Sequence, residues 1–376
     1  MDADKRVLIV GAGIAGLSLA RALHQRDIAA EIVERAETRS RLGTGIYIPA
    51  NGIRALDHLG LAEPLVARGR VNRRRRFLTA QGATSFEIDL VDFWGPGARC
   101  LGVSHTDLHD VLLAGADGVP IRRGTTVDVL KEDARGVSVV FDDGAERRFD
   151  LVVAADGIRS SIRDLLFGEQ HLVGRTDLSS ASWRFVTACP DSVDCWTLYT
   201  GARAVFLILP IGRGRAYCFA AFNAREQVSQ RPDHARFVSA FEDYAAPVRE
   251  VLDRLERPDQ VYFSPLEEVH RPVWGRGRTV LIGDAAHAMP PTMAQGASLA
   301  VEDAIVLARL LDTTRNWANM ATRLESQRND RVTWVKDHTD RQSKLLTMPY
   351  TARKLAMRTA GEKLWKRSFS PLREPV

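Results

Sequence analysis

Val7-Leu8-Ile9-Val10-Gly11-Ala12-Gly13-Ile14-Ala15-Gly16 is the stretch whose reading decides the fold. Four consecutive apolar residues, three of them β-branched, suit a strand buried on both faces of a parallel sheet. A GxGxxG turn follows, and Leu17, Ala20 and Leu23 then recur at helical spacing within 17–26. Glu31-Ile32-Val33-Glu34 reads as a second strand, completing a βαβ unit with an expected right-handed crossover. Gly11 permits the tight turn, Gly13 lets a diphosphate approach the backbone, and Gly16 lets helix and strand pack closely. The diphosphate would sit on the free N–H groups of the helix start. Glu34 lies 18 residues past Gly16, where an acid holds a pair of ribose hydroxyls. Strand, glycines, helix and acid together indicate dinucleotide binding. A carboxylate at 34 repels the 2′-phosphate of NADP and so selects FAD or NAD, a rule that Arg35 either softens or, as a plain surface charge, leaves intact.

Around this unit the chain is ordinary in bulk. Its 376 residues suffice for two cores, and 45% apolar and 26% charged residues are those of a globular protein. A net charge of +5 suits anionic ligands but is too small and scattered for nucleic-acid binding. Cys100, Cys189, Cys195 and Cys218 form neither a CxxC pair nor a metal spacing, so free thiols in a reducing cytoplasm are expected and no metal. No signal peptide is apparent, and the longest purely apolar run, 204–211, is strand-sized. Stable membrane insertion is not expected.

Further along, short strands occupy 78–89 around a Gln81-Gly82 turn, and a sheet-rich stretch spans 180–222 with turns at Gly201 and Gly212-Arg213-Gly214. Between them lie a helix near 107–114 and strands near 126–130, 137–141 and 150–154; after 278 a strand over 279–282 leads to a long helix over 297–311. The expected class is therefore α/β. A Rossmann-like cofactor domain takes 1–71, 99–178 and 275–343, an interleaved β-rich substrate domain takes 72–98 and 179–274, and 344–376 is a C-terminal helical tail. The run Arg73 to Arg76 reads as a solvated lead into a strand, and the tail, with eight Lys/Arg against two Glu, as a helix with a solvated basic face.

Two more segments bear on chemistry. Asp150 to Ala154 delivers Ala155-Asp156-Gly157 and a Ser-rich basic helix start, which by itself is equally a plain strand–turn–helix. Leu281-Ile282-Gly283-Asp284-Ala285-Ala286-His287 is followed by Pro290-Pro291, Gln295-Gly296-Ala297 and Glu302-Asp303. Asp284 ends a strand where it can accept hydrogen bonds from a polyol, and a helix start at Gly296-Ala297 aimed at a flavin would stabilise negative charge on the reduced ring.

In order, the three segments resemble the motifs of the flavin-dependent aromatic hydroxylases, the single-component FAD monooxygenases related to p-hydroxybenzoate hydroxylase. Gly43-Thr44-Gly45-Ile46, Pro49-Ala50-Asn51 and Leu59-Gly60-Leu61 look like that family's flavin-flanking segment, so the resemblance covers about 6–311. The lack of a C-terminal extension makes the chain similar to the short members, such as hydroxynicotinate and salicylate hydroxylases. The resemblance implies that Gly11, Gly13, Ala15, Gly16, Glu34, Arg35, Gly45, Ile46, His105, Asp156, Asp284, Gly296 and Ala297 serve FAD. It places Glu34 at the adenosine ribose, Asp284 at the ribityl or pyrophosphate region and Gly296-Ala297 by the isoalloxazine. Asp156 would also serve a transient NADH or NADPH, which docks without a domain of its own. One departure is His105, where members commonly carry an arginine that contacts the flavin; imidazole is shorter and near-neutral at pH 7.

The activity implied is an NAD(P)H-consuming monooxygenase that adds one oxygen atom from O₂ to a small aromatic or electron-rich substrate through a flavin C4a-hydroperoxide. Trp183, Arg184, Phe206, Tyr217 and Phe222 of the β-rich domain are candidate substrate contacts, each also readable as a core or strand-face residue. Arg184 is the candidate for an anionic group. No catalytic base is apparent, and His287 belongs to the flavin-site scaffold by the resemblance. An FAD-dependent epoxidase or oxidase would use the same motifs. A non-redox FAD-binding cyclase is favoured only by His105. A halogenase is disfavoured by the lack of a Trp-x-Trp-x-Ile-Pro segment.

Overall fold

The computed structural model of the chain describes residues 5–38, 44–168, 173–175, 181–222, 234–255 and 260–376; Gly43 lies outside them. The opening apolar run forms the strand Arg6–Val10, buried from Val7 onward. Parallel ladders join it to Ala29–Glu34 on one side and Leu151–Ala154 on the other. With Ile121–Arg123, Thr279–Leu281 and a short antiparallel edge, Gly275–Arg276, these make a six-stranded sheet. Successive side chains point to opposite faces. Val7 and Ile9 therefore pack toward the helices Ile14–His24 and Gly296–Thr313, while Leu8 and Val10 pack against a three-stranded sheet that contributes Val137, Val139 and Phe141. Covering both faces is what a continuous apolar strand requires.

A second, seven-stranded sheet runs in the order Tyr262–Pro265, Ala181–Ala188, Arg215–Phe222, Ala204–Gly212, Trp196–Thr200, Arg74–Thr79, Thr84–Asp89. Its pairs are antiparallel except that of Trp196–Thr200 with Arg74–Thr79. One face carries Phe185, Ile208 and Cys218 into a core with Phe237, Phe241 and Val248 of the helices His234–Ser239 and Ala246–Asp253. The other carries Leu207, Leu209 and Tyr217 against the small sheet formed by Gly45–Ile48 and Leu101–Ser104.

One expectation is corrected here. The arginine run is part of the strand itself, and the period of two divides it. Arg74 and Arg76 reach Glu87 and Asp194 at the surface, whereas Arg75 points inward and is 2% exposed. Its guanidinium lies 3.8 Å from the Trp196 ring centre and within 5.7 Å of those of Tyr47, Phe77, Trp365 and Phe369. Aromatic faces replace a carboxylate as the partner of this charge, and burial lowers its pKa to about 10. The tail forms the expected helix with its basic face exposed, and its other face packs on the β-rich sheet. Helix Tyr350–Phe369 lies so close to the strand Thr84–Asp89 that a Cβ on Gly361 would fall 2.4 Å from the Phe86 ring. Its Arg353 is buried and donates to the Gly201 carbonyl, while Lys354, Arg358, Lys363, Lys366 and Arg367 remain exposed. Among the described residues, no helix is long and apolar enough to cross a membrane.

Candidate active site

The three glycines of the first turn have three separate reasons to be glycine. Gly11 has φ +107°, and a Cβ there would lie 2.4 Å from the Ala155 carbonyl oxygen, because the Asp156 segment runs directly alongside. A Cβ on Gly16 would fall 2.0 Å from the Gly11 oxygen, so helix and strand could not close up. Gly13 has an ordinary φ of −82° and open space where its Cβ would be. Nothing in the protein forbids a side chain at Gly13; the space in front of it is free. The helix Ile14–His24 begins there with first-turn N–H groups that have no partner within the helix. Glu34 comes over the same turn, accepting hydrogen bonds from the N–H of Ala12 at 2.8 Å and of Ala36 at 2.9 Å. His109, from the helix His105–Gly115, reaches the Ala12 carbonyl at 2.9 Å. Ala15 is closed in by Gly283, where a Cβ would lie 2.9 Å from that of Ala15 and 3.2 Å from that of Ala300.

The Asp156 turn adjoins Gly11. One carboxylate oxygen, Oδ2, accepts from Ser161 Oγ and the Ile162 N–H, both at 3.3 Å. The other, Oδ1, is buried with no partner. Burial pushes the Asp156 pKa up against those hydrogen bonds. A buried acceptor left unsatisfied is costly, and a ligand donor would relieve it. Arg163 ties this turn to the next segment, donating to the carbonyls of Ile158 at 2.6 Å and Ala285 at 2.9 Å.

Asp284 follows Gly283, whose φ of +59° turns the chain out of the sheet. Its side chain is open to solvent, yet desolvation by the surrounding protein raises its pKa while His287 partly opposes the rise. The start of the helix Gly296–Thr313 faces it, since a Cβ on Gly296 would lie 3.8 Å from Asp284 Oδ1. Before that helix Ala294 adopts a left-handed conformation at φ +52°, strain that needs the surrounding structure to hold it. His287 is buried, with Nε2 2.6 Å from Asp303 Oδ2, and so belongs to the scaffold beneath this turn.

Among residues from the flavin-flanking segment, Gly45 packs on Tyr217, where a Cβ would fall 2.4 Å from that of the tyrosine. Ile46 is half-buried, and His105 begins its helix with its N–H on the Thr44 carbonyl at 2.9 Å. Arg213 and Arg215 from the β-rich sheet come within 3.8 and 3.9 Å of Asp107 in the same helix.

The five aromatic and basic candidates of the β-rich domain separate by face. Tyr217 and Arg184 lie on the side turned toward Gly45, on paired strands in which Arg184 faces Phe219 and Tyr217 faces Val186. Burial pushes the Tyr217 hydroxyl up to about 12, against the nearby Arg184 charge. Trp183, Phe206 and Phe222 are on the other side, where they pack with Phe237 and Phe241. That placement corrects the expectation that these three contact substrate: strand alternation sends them into the helix-covered core. Sequence inspection also missed Arg163, His109, Arg328 and Arg331. Glu302 and Asp303, the carboxylates that the last two bind, did stand within a quoted motif.

A family model described as "FAD binding domain" matches residues 4–342. The chain belongs to this FAD-binding family. It is 31% identical over 343 residues to the FAD-dependent urate hydroxylase of Klebsiella pneumoniae, covering 87% of this chain and 86% of that one. It is 32% identical over 340 residues to the aurachin C monooxygenase/isomerase of Stigmatella aurantiaca, covering 88% and 87%. The fold matches the crystal structure of Klebsiella pneumoniae HpxO complexed with FAD and uric acid at a TM-score of 0.86, with 25% identity over 99% of this chain and 97% of that one. The protein is thus an FAD-dependent monooxygenase of the flavin aromatic hydroxylase family, and FAD is its cofactor.

Proposed function

We propose that this monooxygenase consumes NADH or NADPH and places one oxygen atom from O₂ on a small aromatic or electron-rich substrate that carries an anionic or strongly polar group. The observation that carries the FAD site is that three unfilled features lie on adjoining turns at the ends of paired strands: the open face of Gly13, the unpartnered Oδ1 of Asp156, and Asp284 opposite the helix start at Gly296. These fit a dinucleotide. The first-turn N–H groups beyond Gly13 would take its diphosphate, Glu34 a ribose, Asp284 the ribityl region and the N–H groups of Gly296 and Ala297 the ring. When bound there, FAD would supply the redox and oxygen-transfer chemistry, and the residues of the site would position the substrate and exclude water. The division into cofactor segments (1–71, 99–178, 275–343), β-rich segments (72–98, 179–274) and tail (344–376) is supported by the two main sheets, which draw their strands accordingly. Four free cysteines favour a cytoplasmic setting.

On the substrate side, Arg184 offers a half-buried cation and Tyr217 a hydroxyl that stays protonated at neutral pH. Together they suit a carboxylate, enolate or phenolate edge held across from the ring. Arg184→Met should raise KM for such an anionic substrate roughly tenfold, the worth of one charge-assisted hydrogen bond, with kcat less affected. Steady-state NAD(P)H consumption against a panel of anionic and neutral aromatics provides the measurement. Equal KM values in parent and variant across the panel would remove Arg184 from the site, and absence of any substrate-stimulated consumption would sink the hydroxylase reading.

A further inference from the structure

Behind the helix start at Gly296 lies a buried polar chain that the proposed chemistry does not use. Gln295, 1% exposed, exchanges hydrogen bonds with Asn51: Asn51 Nδ2 donates to Gln295 Oε1 at 2.9 Å, and Gln295 Nε2 to Asn51 Oδ1 at 3.3 Å. The same Asn51 nitrogen donates to Glu302 Oε1 at 3.1 Å. Glu302 is also buried and takes two bonds from Arg331, Nε to Oε2 at 2.9 Å and Nη2 to Oε1 at 3.0 Å. Arg331 uses its remaining nitrogen on the Pro371 carbonyl at 3.2 Å. One helical turn from Asn51, Arg54 donates to the carbonyls of Leu372 and Glu374, both at 3.0 Å. Two arginines from two different helices therefore hold the backbone of the last turn, Ser370–Arg373. Leu372 is fully buried between them, which anchors that turn. This turn lies outside the residues 4–342 that the family model matches.

A buried carboxylate such as Glu302 is tolerated only with its full set of donors, and each guanidinium that serves it must itself be held in place. Without the carbonyls of 371, 372 and 374, Arg331 and Arg54 lose acceptors on one side and regain side-chain freedom. Asn51 and Gln295 would then lose their fixed orientation, and Ala294 its enforced left-handed conformation. We infer that the C-terminal turn 370–374 is a working part of the flavin site, acting through Arg331 as a positioning residue that fixes Glu302, Asn51 and Gln295 and so aims the N-terminus of helix Gly296–Thr313. The inference rests on the proposal that this helix start faces the flavin ring.

The test uses full-length protein stripped of flavin, with two readouts: FAD affinity by quenching of flavin fluorescence, and amide hydrogen exchange over 294–299 before FAD is added. Arg331→Met should weaken FAD binding roughly tenfold and speed exchange at 294–299. Arg54→Met is the milder variant, since it leaves every hydrogen bond to Glu302 in place and frees only the tail. It should speed exchange over 370–376 and move both main readouts the same way, by roughly threefold. Arg323→Met, an exposed position on the same helix as Arg331, should change neither. If Arg54→Met frees the tail while FAD affinity and exchange at 294–299 stay at parent values, the tail has no part in the site and the inference is overturned. Faster exchange at 294–299 in both variants with unchanged FAD affinity would overturn it differently, by showing that this helix start does not face the flavin.

Discussion

Gly13→Val should give a folded protein that purifies without colour. A Cβ at 13 meets nothing within 4 Å outside its own chain neighbours and helix backbone, and the backbone there has an ordinary φ of −82°. Folding therefore tolerates it, and thermal unfolding of flavin-free Gly13→Val should lie close to that of flavin-free parent. The methyls instead occupy the space where a diphosphate must approach the first-turn N–H groups, and FAD affinity should fall roughly a hundredfold or more. Gly16→Val supplies the contrast. Its Cβ would lie 2.0 Å from the Gly11 oxygen, a backbone atom that cannot move aside, so the protein itself should fail to fold stably. The pair separates a glycine kept for the ligand from one kept for the fold. Parent-like flavin content in Gly13→Val would contradict the proposed diphosphate position.

Arg328→Met should destabilise the folded protein strongly. Arg328 is 1% exposed and pairs with Asp303 at 2.8 Å and Glu302 at 3.0 Å, both carboxylates themselves buried. Burial alone pushes Glu302 up, but Arg328 and Arg331 outweigh it and hold the carboxyl below its usual range. For Asp303, burial is likewise outweighed, by His287 and Arg328 together. Removing the arginine strands charge in the interior, and such losses cost about 3–5 kcal/mol. The pH dependence follows from the depressed carboxyls. In the parent they contribute stability that is present above the ordinary carboxylate range and lost as pH falls through their lowered pKa values. In Arg328→Met burial is less opposed, the carboxyls rise, and protonation relieves the variant sooner. The deficit in urea unfolding relative to parent should therefore shrink as pH is lowered from neutrality toward about 5. A deficit that is small, or constant with pH, would contradict the assignment of Arg328 as the counter-charge.

What the sequence made legible divides along physical lines. The cofactor half was readable because its signals are local: an uninterrupted apolar strand, glycines at fixed offsets and an acid at the end of the next strand. The strand Arg6–Val10 and the helix Ile14–His24 appear within a few residues of where periodicity put them. Arg75 was misread because its partners, Tyr47, Trp196, Trp365 and Phe369, are scattered along the chain and no local pattern announces them. Trp183, Phe206 and Phe222 were chosen by residue type, whereas strand parity decides which side of a sheet a residue serves. Tyr217 differs from Cys218 and Phe222 by that parity alone. Arg331 and the C-terminal turn were invisible for another reason: single arginines and backbone carbonyls carry no motif, and only their convergence on Glu302 gives them meaning.

The central claim, oxygen transfer from O₂ to substrate by FAD-loaded protein, is most directly tested with isotopic oxygen. Purified yellow protein is incubated with NAD(P)H under ¹⁸O₂ and an aromatic substrate that stimulates NAD(P)H consumption, and the product mass is read. One ¹⁸O atom is expected in the product, with none taken up from H₂¹⁸O under ordinary O₂. A product whose new oxygen comes from water, or NAD(P)H consumption that yields only hydrogen peroxide with every substrate that stimulates it, would contradict the claim.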